Sequence, residues 1–531
     1  MGRRSYRMQP PIRLSHIQPV VDTNIINSAT GIPITTGMPA STWLASVAQL
    51  KPFFLGPFQQ VGSAYIGGDL TGNTRGIYAL DVQSSRVLAG RVASGDYAIS
   101  IGLDNTASGN FSSAIGDVNT ASADNAVAFG GQNVSSAIGA VSFGYDNTAS
   151  NLYAVSVGVS NTASGYQALA FGHRNSASGY RSTCFGYYNS TSSATVSIFG
   201  YGNIATGNRA VLFGRSNVSA GQESTAVGHG NSVSGTYASC FGYLNTTSGD
   251  YAVSIGAHCT ASHWATAVGT HATASGYHSA AMGSYATASG YYSTASGHAS
   301  SASGNYSLAF GYECTTTAIN ATAVGCRSSA EFAKASSFGY ACHATNQNSS
   351  AFGYKCMATG VGSTAFGYNA SASNTHAVAL GFYAVATSTD SVALGASSTA
   401  SGTSSLAAGR GVTAGANAAS AFGFYTTASG AYSVAIGTRT KTTVANTSEF
   451  GYWSSATQRN AAIRVHSTGY VAITAPKTNT ALTDGGATSG AEADGTLMRK
   501  ALSFRVSSTF GLICQYNDNG TMKTLTIGTM T

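Results

Sequence analysis

The chain contains few charged residues. Asp, Glu, Lys and Arg together make up 8% of its 531 residues, and the formal net charge is only +7. No basic stripe marks a nucleic-acid footprint, and no apolar run reaches the length of a membrane helix. The 18 acidic residues show no paired spacing of the glycosidase kind, and Ser and His occur without a nucleophile motif. We therefore expect no nucleic-acid partner, no membrane insertion, no catalytic or metal-binding residues and no cofactor.

Proline is almost absent after the first sixth of the chain. Seven of the eight prolines lie between Pro10 and Pro57. Because proline cannot donate to a β-ladder, this segment is unsuited to regular sheet. We predict that residues 1–75 form an N-terminal segment that docks on a larger assembly through a small aromatic cluster; the alternative is a segment that merely caps the rest of the chain. Its members are Trp43, Phe53, Phe54 and Phe58.

Glycine is the abundant residue, and it recurs at a fixed interval. Every fourteenth residue from Gly102 to Gly256 is glycine, and after one thirteen-residue step the interval resumes from Gly269 to Gly451, giving 26 repeat glycines. A single coil of this length cannot bury a core and is stable only when it is stacked on others. Alternating residues between turn signals indicate strand, turn, strand, turn, with about five residues in each strand. The pattern therefore predicts an all-β solenoid.

Side-chain size predicts which face of each strand is internal. The residue two before the repeat glycine is nearly always small, as is the residue five after it, whereas the residues one and three before it are large. Alternation along a strand then places the small residues inside and the large ones outside. In a stack of coils the large outward residues would form an apolar stripe roughly 120 Å long. Because a soluble monomer rarely exposes so large an apolar surface, the stripe requires a partner. The phenylalanines of this predicted subunit interface are Phe129, Phe143, Phe171, Phe185, Phe199, Phe213, Phe241, Phe310, Phe338, Phe352, Phe366, Phe422 and Phe450.

Asparagine fills the position three after the repeat glycine in eleven successive coils. Identical amides stacked in register can hydrogen-bond along their column. In later coils the same column holds Cys259, Cys314, Cys342, Cys356 and small residues, so we expect a polar ladder in one half and an apolar column in the other. The predicted ladder comprises Asn105, Asn119, Asn133, Asn147, Asn161, Asn175, Asn189, Asn203, Asn217, Asn231 and Asn245.

The repeat resembles the head repeat of YadA-like trimeric adhesins. Units such as Tyr251-Ala-Val-Ser-Ile-Gly256, and the Ala-Ser-Gly corner that ends at Gly402, carry the resemblance over about residues 88–456. It implies a left-handed parallel β-roll and a homotrimer, with the external phenylalanines as the trimer core. We place the shaft at 76–456 and a small β domain, as distal tip or cap, at 457–531. Within that domain the sequence predicts several strands and a hairpin at Asn517-Asp-Asn-Gly520.

The setting favoured by the sequence is a bacteriophage tail or particle fibre, assembled in host cytoplasm and displayed on the virion. No secretion signal opens the chain, and no coiled-coil stalk or membrane anchor of the bacterial adhesins is recognisable. The expected partners are the chain itself, other virion proteins and a host-surface glycan or protein. The alternatives are a bacterial cell-surface trimeric adhesin and a capsid decoration fibre. An ice-binding solenoid is disfavoured because the threonines are scattered.

Three groups of residues leave alternatives open. Five histidines between His258 and His298 surround the thirteen-residue coil; surface histidines at a corner deletion are favoured over a metal site on a symmetry axis. Cys342 and Cys356 occupy adjacent coils and are interpreted as free thiols rather than a disulfide. Tyrosines are frequent just after the repeat glycine and after the second corner, where subunit packing and glycan stacking both explain them. The tyrosines are Tyr145, Tyr187, Tyr201, Tyr243, Tyr312, Tyr340, Tyr354 and Tyr368, with Tyr166, Tyr180, Tyr277 and Tyr291 at the corner.

Overall fold

The computed structural model describes residues 59–61, 64–68, 73–455, 458–466, 470–474, 501–507, 511–518 and 521–527, with side chains for 73–452, 463–466 and 471. All of its regular elements are β-strands, and these ranges contain no helix. The chain divides into two compact units, Met1–Gly139 and Ala140–Thr531. Within both units a fourteen-residue coil repeats. The predicted all-β parallel solenoid is therefore confirmed.

Each coil contains one long strand and one short strand. The long strand runs from three residues before the repeat glycine to one after it, as in Val155–Val159 and Leu169–His173. Two long strands, Thr294–Ser296 and Val392–Leu394, stop before the glycine. The short strand covers the fourth and fifth residues after the glycine, as in Thr162–Ala163. The expectation of two strands of about five residues is thus wrong for the second strand, because the turns on either side of it take up the remaining residues.

Strands of successive coils pair in parallel without slipping. Val155, Ser156 and Val157 lie beside Leu169, Ala170 and Phe171, fourteen residues later. The thirteen-residue coil preserves this register, since Gly256 still pairs with Gly269. Its missing residue falls in the corner between Thr260–Ala261 and Thr266–Thr270. A deletion at a corner leaves both ladders intact because corner residues pair with neither ladder.

The first unit begins with irregular strands and continues as regular coils. Gln59–Val61 and Ala64–Gly68 are antiparallel, and Ala64–Gly68 lies parallel to Leu80–Ser85. Leu80–Ser85 pairs in parallel with Ile99–Leu103, with a register shift between Gln83 and Ser85. The regular long strands Ser113–Asp117 and Val127–Gly131 follow.

A buried carboxylate stands in the core position of the first coil in this unit. Asp81 pairs with Ser100, which stands two residues before the repeat glycine Gly102. Asp81 therefore lies in the inward column that small residues fill in the later coils. Asp81 is fully buried and accepts from Arg75 Nε at 2.7 Å, and Arg86 Nη2 lies 2.8 Å from the same carboxylate. Two guanidinium groups thus neutralise a charge that would otherwise be costly to bury.

The second unit ends in antiparallel strands. Its last coil strand, Thr447–Ser455, pairs antiparallel with Gln458–His466, and Tyr470–Thr474, Ala501–Ser507, Gly511–Asp518 and Thr521–Ile527 extend the sheet in that order. Asp518 pairs with Thr521, which confirms the predicted hairpin, although Gly520 itself lies outside the described residues.

Glu449 marks the change from coils to antiparallel strands. It pairs with Ala435 of the preceding coil and, as expected from its position, faces the interior. The side chain is fully buried, and Arg464 Nη2 of the antiparallel strand lies 3.0 Å from its Oε2. The strand that covers the last coil therefore also supplies the countercharge for Glu449.

Small side chains fill the interior of the coils. The buried residues include the small residue two before the repeat glycine and the one five after it, as predicted, and Ala or Ser four before the glycine, which the sequence analysis did not single out. Ile198 and Leu212 are the bulkiest apolar residues that are fully buried. No buried phenylalanine occurs among the residues with described side chains. The interior of a coil is therefore narrow, and the large side chains lie outside it.

Candidate interaction surfaces

The repeat glycines are required by the spacing between coils. Gly200 has φ +130°, and a Cβ added to it would lie 1.9 Å from the carbonyl oxygen of Gly214 in the next coil. The glycine at the second corner has a similar limit: a Cβ on Gly165 would lie 2.0 Å from the oxygen of Gly179, although its φ is not positive. Close approach of neighbouring backbones thus explains the glycine at both places.

The two corners adopt left-handed backbone at residues other than glycine. These lie two and nine residues after the repeat glycine, as at Ser160 (φ +54°) and Tyr153 (φ +57°). Because non-glycine residues enter this region at a cost, the stacked neighbours must hold the corners in place.

The asparagine ladder forms a continuous network of hydrogen bonds within each unit. In the second unit, Asn189 donates from its backbone N and from Nδ2 to Asn175 Oδ1, both at 3.0 Å. Its Nδ2 also donates to the carbonyl oxygen of Gly200 at 2.7 Å. Asn203 repeats the arrangement one coil later by donating to Asn189 Oδ1. All eleven asparagines are buried, with exposed fractions of 0–1%. The amides thus cross-link successive coils through the core.

The later half of this column is only partly apolar. Cys259 Sγ donates to Gly269 O at 3.1 Å, and Cys314, Cys342 and Cys356 make the same kind of contact to the glycine of the next coil. Ser and Thr at this position, such as Ser300, donate from Oγ in the same way. The expectation of an apolar column is therefore wrong where a thiol or hydroxyl replaces the amide. It holds at coils that carry alanine, such as Ala272 and Ala286.

The external phenylalanines form an exposed apolar column along the coils. Nine of the thirteen have exposed fractions between 38% and 58%, including Phe185 at 53% and Phe213 at 58%. Phe171, Phe338, Phe352 and Phe422 are half-buried. Within the second unit the rings of Phe171, Phe185, Phe199 and Phe213 contact one another along the column, with centroids 5.9–6.2 Å apart. The side chains predicted for a trimer core thus form a repeated apolar surface.

The described cysteines are unpaired thiols. Cys184, Cys240, Cys259, Cys314, Cys342 and Cys356 are buried, and Cys326 is half-buried. Burial raises the pKa of the Cys184 thiol to about 12 and that of Cys240 to about 11. A hydrogen bond with Cys356, together with burial, raises the pKa of the Cys342 thiol. Cys184, Cys240 and Cys342 are therefore neutral core thiols at physiological pH.

Four of the histidines near the short coil belong to stacked columns of rings. His258 and His271 stack with centroids 4.8 Å apart, and His271 stacks on Tyr285 at the same distance. His298 stacks on Tyr312, and His278 stacks on Tyr292. Over the described part of the chain, no group of three or more His, Cys, Asp or Glu side chains is arranged to hold a metal ion.

A second aromatic column lies at the second corner, and the sequence analysis did not recognise it. We call it the corner column, and it carries one ring in each of six successive coils. The ring centroids of neighbouring members are 4.2–5.4 Å apart. The thirteen-residue step hid it, because its members stand nine residues after the repeat glycine in five coils but eight in the short coil. The corner column consists of Tyr237, Tyr251, Trp264, His278, Tyr292 and Tyr306.

Two other predictions concern residues at the ends of the chain. Trp43, Phe53, Phe54 and Phe58, predicted to dock on a virion, lie outside the described residues, so that assignment stays a prediction, as does the three-part domain division. No helix in the ranges that are described is long and apolar enough to cross a membrane.

Comparison with known families agrees with the geometry of the coils. The model of the YadA head domain repeat matches residues 93–119, 107–133, 121–147, 163–189, 265–286, 288–313, 358–384, 386–411 and 414–440. These segments lie within the glycine-repeat region. The matched coils are therefore YadA-like β-roll repeats. A search of curated proteins found no match to the chain.

Proposed function

We propose that this chain is a non-enzymatic structural protein that assembles into a homotrimeric fibre and attaches a bacteriophage virion to the surface of its host. The observation that carries the proposal is the external phenylalanine column. Phe185, Phe213 and Phe366 are each more than half exposed in the single chain, and their column recurs with the coil over the second unit.

The size of this apolar column supports self-association. The second unit contains 23 of the repeat glycines, so a column through all of its coils would be roughly 105 Å long at the spacing of paired strands. The largest apolar patch of a typical monomer covers only about 300–600 Å². Closed rotational symmetry buries the same strip of every subunit at once. The number three comes from the likeness to YadA-like heads.

An attachment role follows from the same assembly. A trimer presents three copies of every surface feature, and repeated weak contacts then combine through avidity. The virion setting is supported by the proline-rich composition of residues 1–75, which suits a segment that docks on a larger body. A bacterial cell-surface adhesin is equally compatible with the YadA head repeats. Labelling with an antibody to residues 140–455 distinguishes the two, because it marks either purified particles or the surface of bacteria free of phage.

The trimer can be tested directly. Native mass spectrometry of the full chain is expected to give three times the chain mass of 53.6 kDa. A photo-crosslinking benzoyl-phenylalanine in place of Phe213 should then link subunits covalently, because this side chain lies on the proposed interface.

Ile204 provides a matched control for the crosslinking. Its exposed fraction of 45% resembles that of the phenylalanines, but it lies on the short strand of the coil. The same photoreactive residue at Ile204 should give little crosslinking. A folded monomer in the native spectrum, or equal crosslinking from both positions, would contradict the assembly.

A further inference from the structure

The corner column is confined to a few coils of the second unit. Its six rings form a continuous row of contacts, from Tyr237 on Tyr251 at 4.9 Å to Tyr292 on Tyr306 at 5.4 Å. Trp264 lies near the middle, 4.2 Å from Tyr251 and 5.3 Å from His278. The exposed fractions of Tyr237, Tyr251, Trp264, Tyr292 and Tyr306 are 44–54%. A long row of aromatic rings is therefore open to solvent in the single chain.

The fold does not require aromatic residues at this corner. The equivalent position in other coils of the second unit holds Gln167, Thr195, Lys334 and Ser404, all with the same left-handed backbone, φ +53° to +59°. Polar residues satisfy the corner, whereas bulky residues enter this backbone region least readily. The aromatic side chains in six consecutive coils are thus in excess of what stacking of the coils needs.

The surroundings of the corner column carry almost no charge. From Tyr251 to Tyr312 the sequence contains no Asp, Glu, Lys or Arg; Asp250 directly precedes this stretch, and Glu223 stands at the equivalent corner position one coil before Tyr237. Binding of a nucleic acid or another polyanion depends on Lys and Arg, and a polycation would need carboxylates. Ser and Thr are frequent in the same stretch. A partner that suits this surface is uncharged and amphipathic, with apolar faces and many hydroxyl groups.

We infer that the corner column binds an uncharged glycan chain on the host surface. Sugar rings present C–H faces that contact aromatic side chains, and their hydroxyls hydrogen-bond with phenol, indole and imidazole groups. The rings of the column repeat once per coil, a spacing close to the length of one pyranose unit in an extended chain. A linear polysaccharide can therefore contact several coils in succession. This inference rests on the proposed attachment function and names its receptor class.

The experiment compares the full-length protein with two variants. Binding is measured on an array of neutral and acidic glycans and, for each neutral glycan bound, by calorimetry. The test variant is the double substitution Tyr251→Ala with Trp264→Ala, which removes two adjacent rings. The control is Tyr153→Ala, because Tyr153 stands at the same corner position with a 53% exposed fraction and no aromatic contact. Native mass spectrometry of each variant establishes its assembly.

We expect the wild type to bind one or more neutral glycans. The double variant should bind the same glycans with an affinity lower by a factor of about ten or more. The control should bind like the wild type, and both variants should keep the wild-type mass. The inference is overturned if the wild type binds only acidic glycans or none, or if the double variant binds normally. It is also overturned if the double variant loses its assembly, since the rings would then be subunit contacts.

Cell attachment separates this inference from the proposed function. If the double variant attaches to host cells as strongly as the wild type does, the attachment function stands and the glycan site is refuted. Neutral-glycan binding that depends on Trp264, in a protein that attaches to no cell, supports the site and refutes the attachment role.

Discussion

Replacing Asn189 by alanine would interrupt the asparagine ladder in the middle of its run. The side chain is fully buried. Its Oδ1 accepts from the backbone N of Asn203 at 3.1 Å and from Asn203 Nδ2 at 2.9 Å. Its Nδ2 donates to Phe185 O at 3.1 Å and to Gly200 O at 2.7 Å. Alanine removes all of these hydrogen bonds from a fully buried position.

The cost can be worked from the groups left unpaired. Asn203 Nδ2 retains a second acceptor, Gly214 O at 2.8 Å, so the main loss falls on the backbone N–H of Asn203 and on the carbonyl of Gly200. A buried polar group without a partner costs about 1–3 kcal/mol, so we expect the two groups together to cost about 2–6 kcal/mol. Since 1.4 kcal/mol is a factor of ten, the local opening equilibrium should shift by roughly thirtyfold to more than ten-thousandfold.

Hydrogen exchange is the appropriate measurement, because a long stack of coils need not unfold in one cooperative step. The expected result is a loss of protection in peptides that contain Asn203. Asn208→Ala is the matched control, since Asn208 lies on the surface near the same coil and its Oδ1 accepts from Ala194 N. Asn189→Ser should fall between them, because Ser300 shows that a hydroxyl at this position still donates to the next glycine. Equal protection in Asn189→Ala and Asn208→Ala would refute the ladder's role.

Three further perturbations test the packing. Gly200→Ala should prevent stacking of its coil and lower the yield of folded protein, because its Cβ would lie 1.9 Å from a neighbouring carbonyl oxygen. Gly415→Ala is the control and should fold normally, because no atom would lie nearer than 3.8 Å to its Cβ. Similar yields of the two variants would contradict this account. Asp81→Asn should lower local stability by about 3 kcal/mol, seen as faster hydrogen exchange over residues 80–107; unchanged exchange would argue against the buried ion pairs. In mass-spectrometric mapping of alkylation at pH 8, Cys326 should react much faster than Cys184, whose pKa is about 12. Rapid alkylation of Cys184 in the native protein at pH 8 would contradict its burial. Because the pKa of this thiol is raised on folding, the stability that it contributes is present below pH 9 and is lost as pH rises towards 12.

Much of the fold could be predicted because a stacked coil repeats every environment once per period. The inward position of Ala170 and the outward position of Phe171 follow from alternation along a strand, and fourteen-residue spacing makes each the neighbour of its equivalent. The buried asparagine column could be recognised for the same reason. These features depend only on local geometry multiplied by repetition.

Features that depend on distances between coils could not be read in this way. The two-residue length of Thr162–Ala163, the thiol hydrogen bond of Cys259 and the backbone contact that excludes a side chain at Gly200 all require coordinates. The corner column was missed because the short coil moves Trp264 out of the fourteen-residue interval, although in space its ring still lies between those of Tyr251 and His278.

The sequence by itself determined the period, the register and the sides of the strands, since a regular repeat of small, large and glycine residues is compatible with few stackings. Only the tertiary structure decided how the corners turn and which side chains meet across neighbouring coils. The physical reason is that corner backbone is held by contacts from adjacent coils and not by its own residues, so Tyr, Ser and Gln adopt the same conformation there.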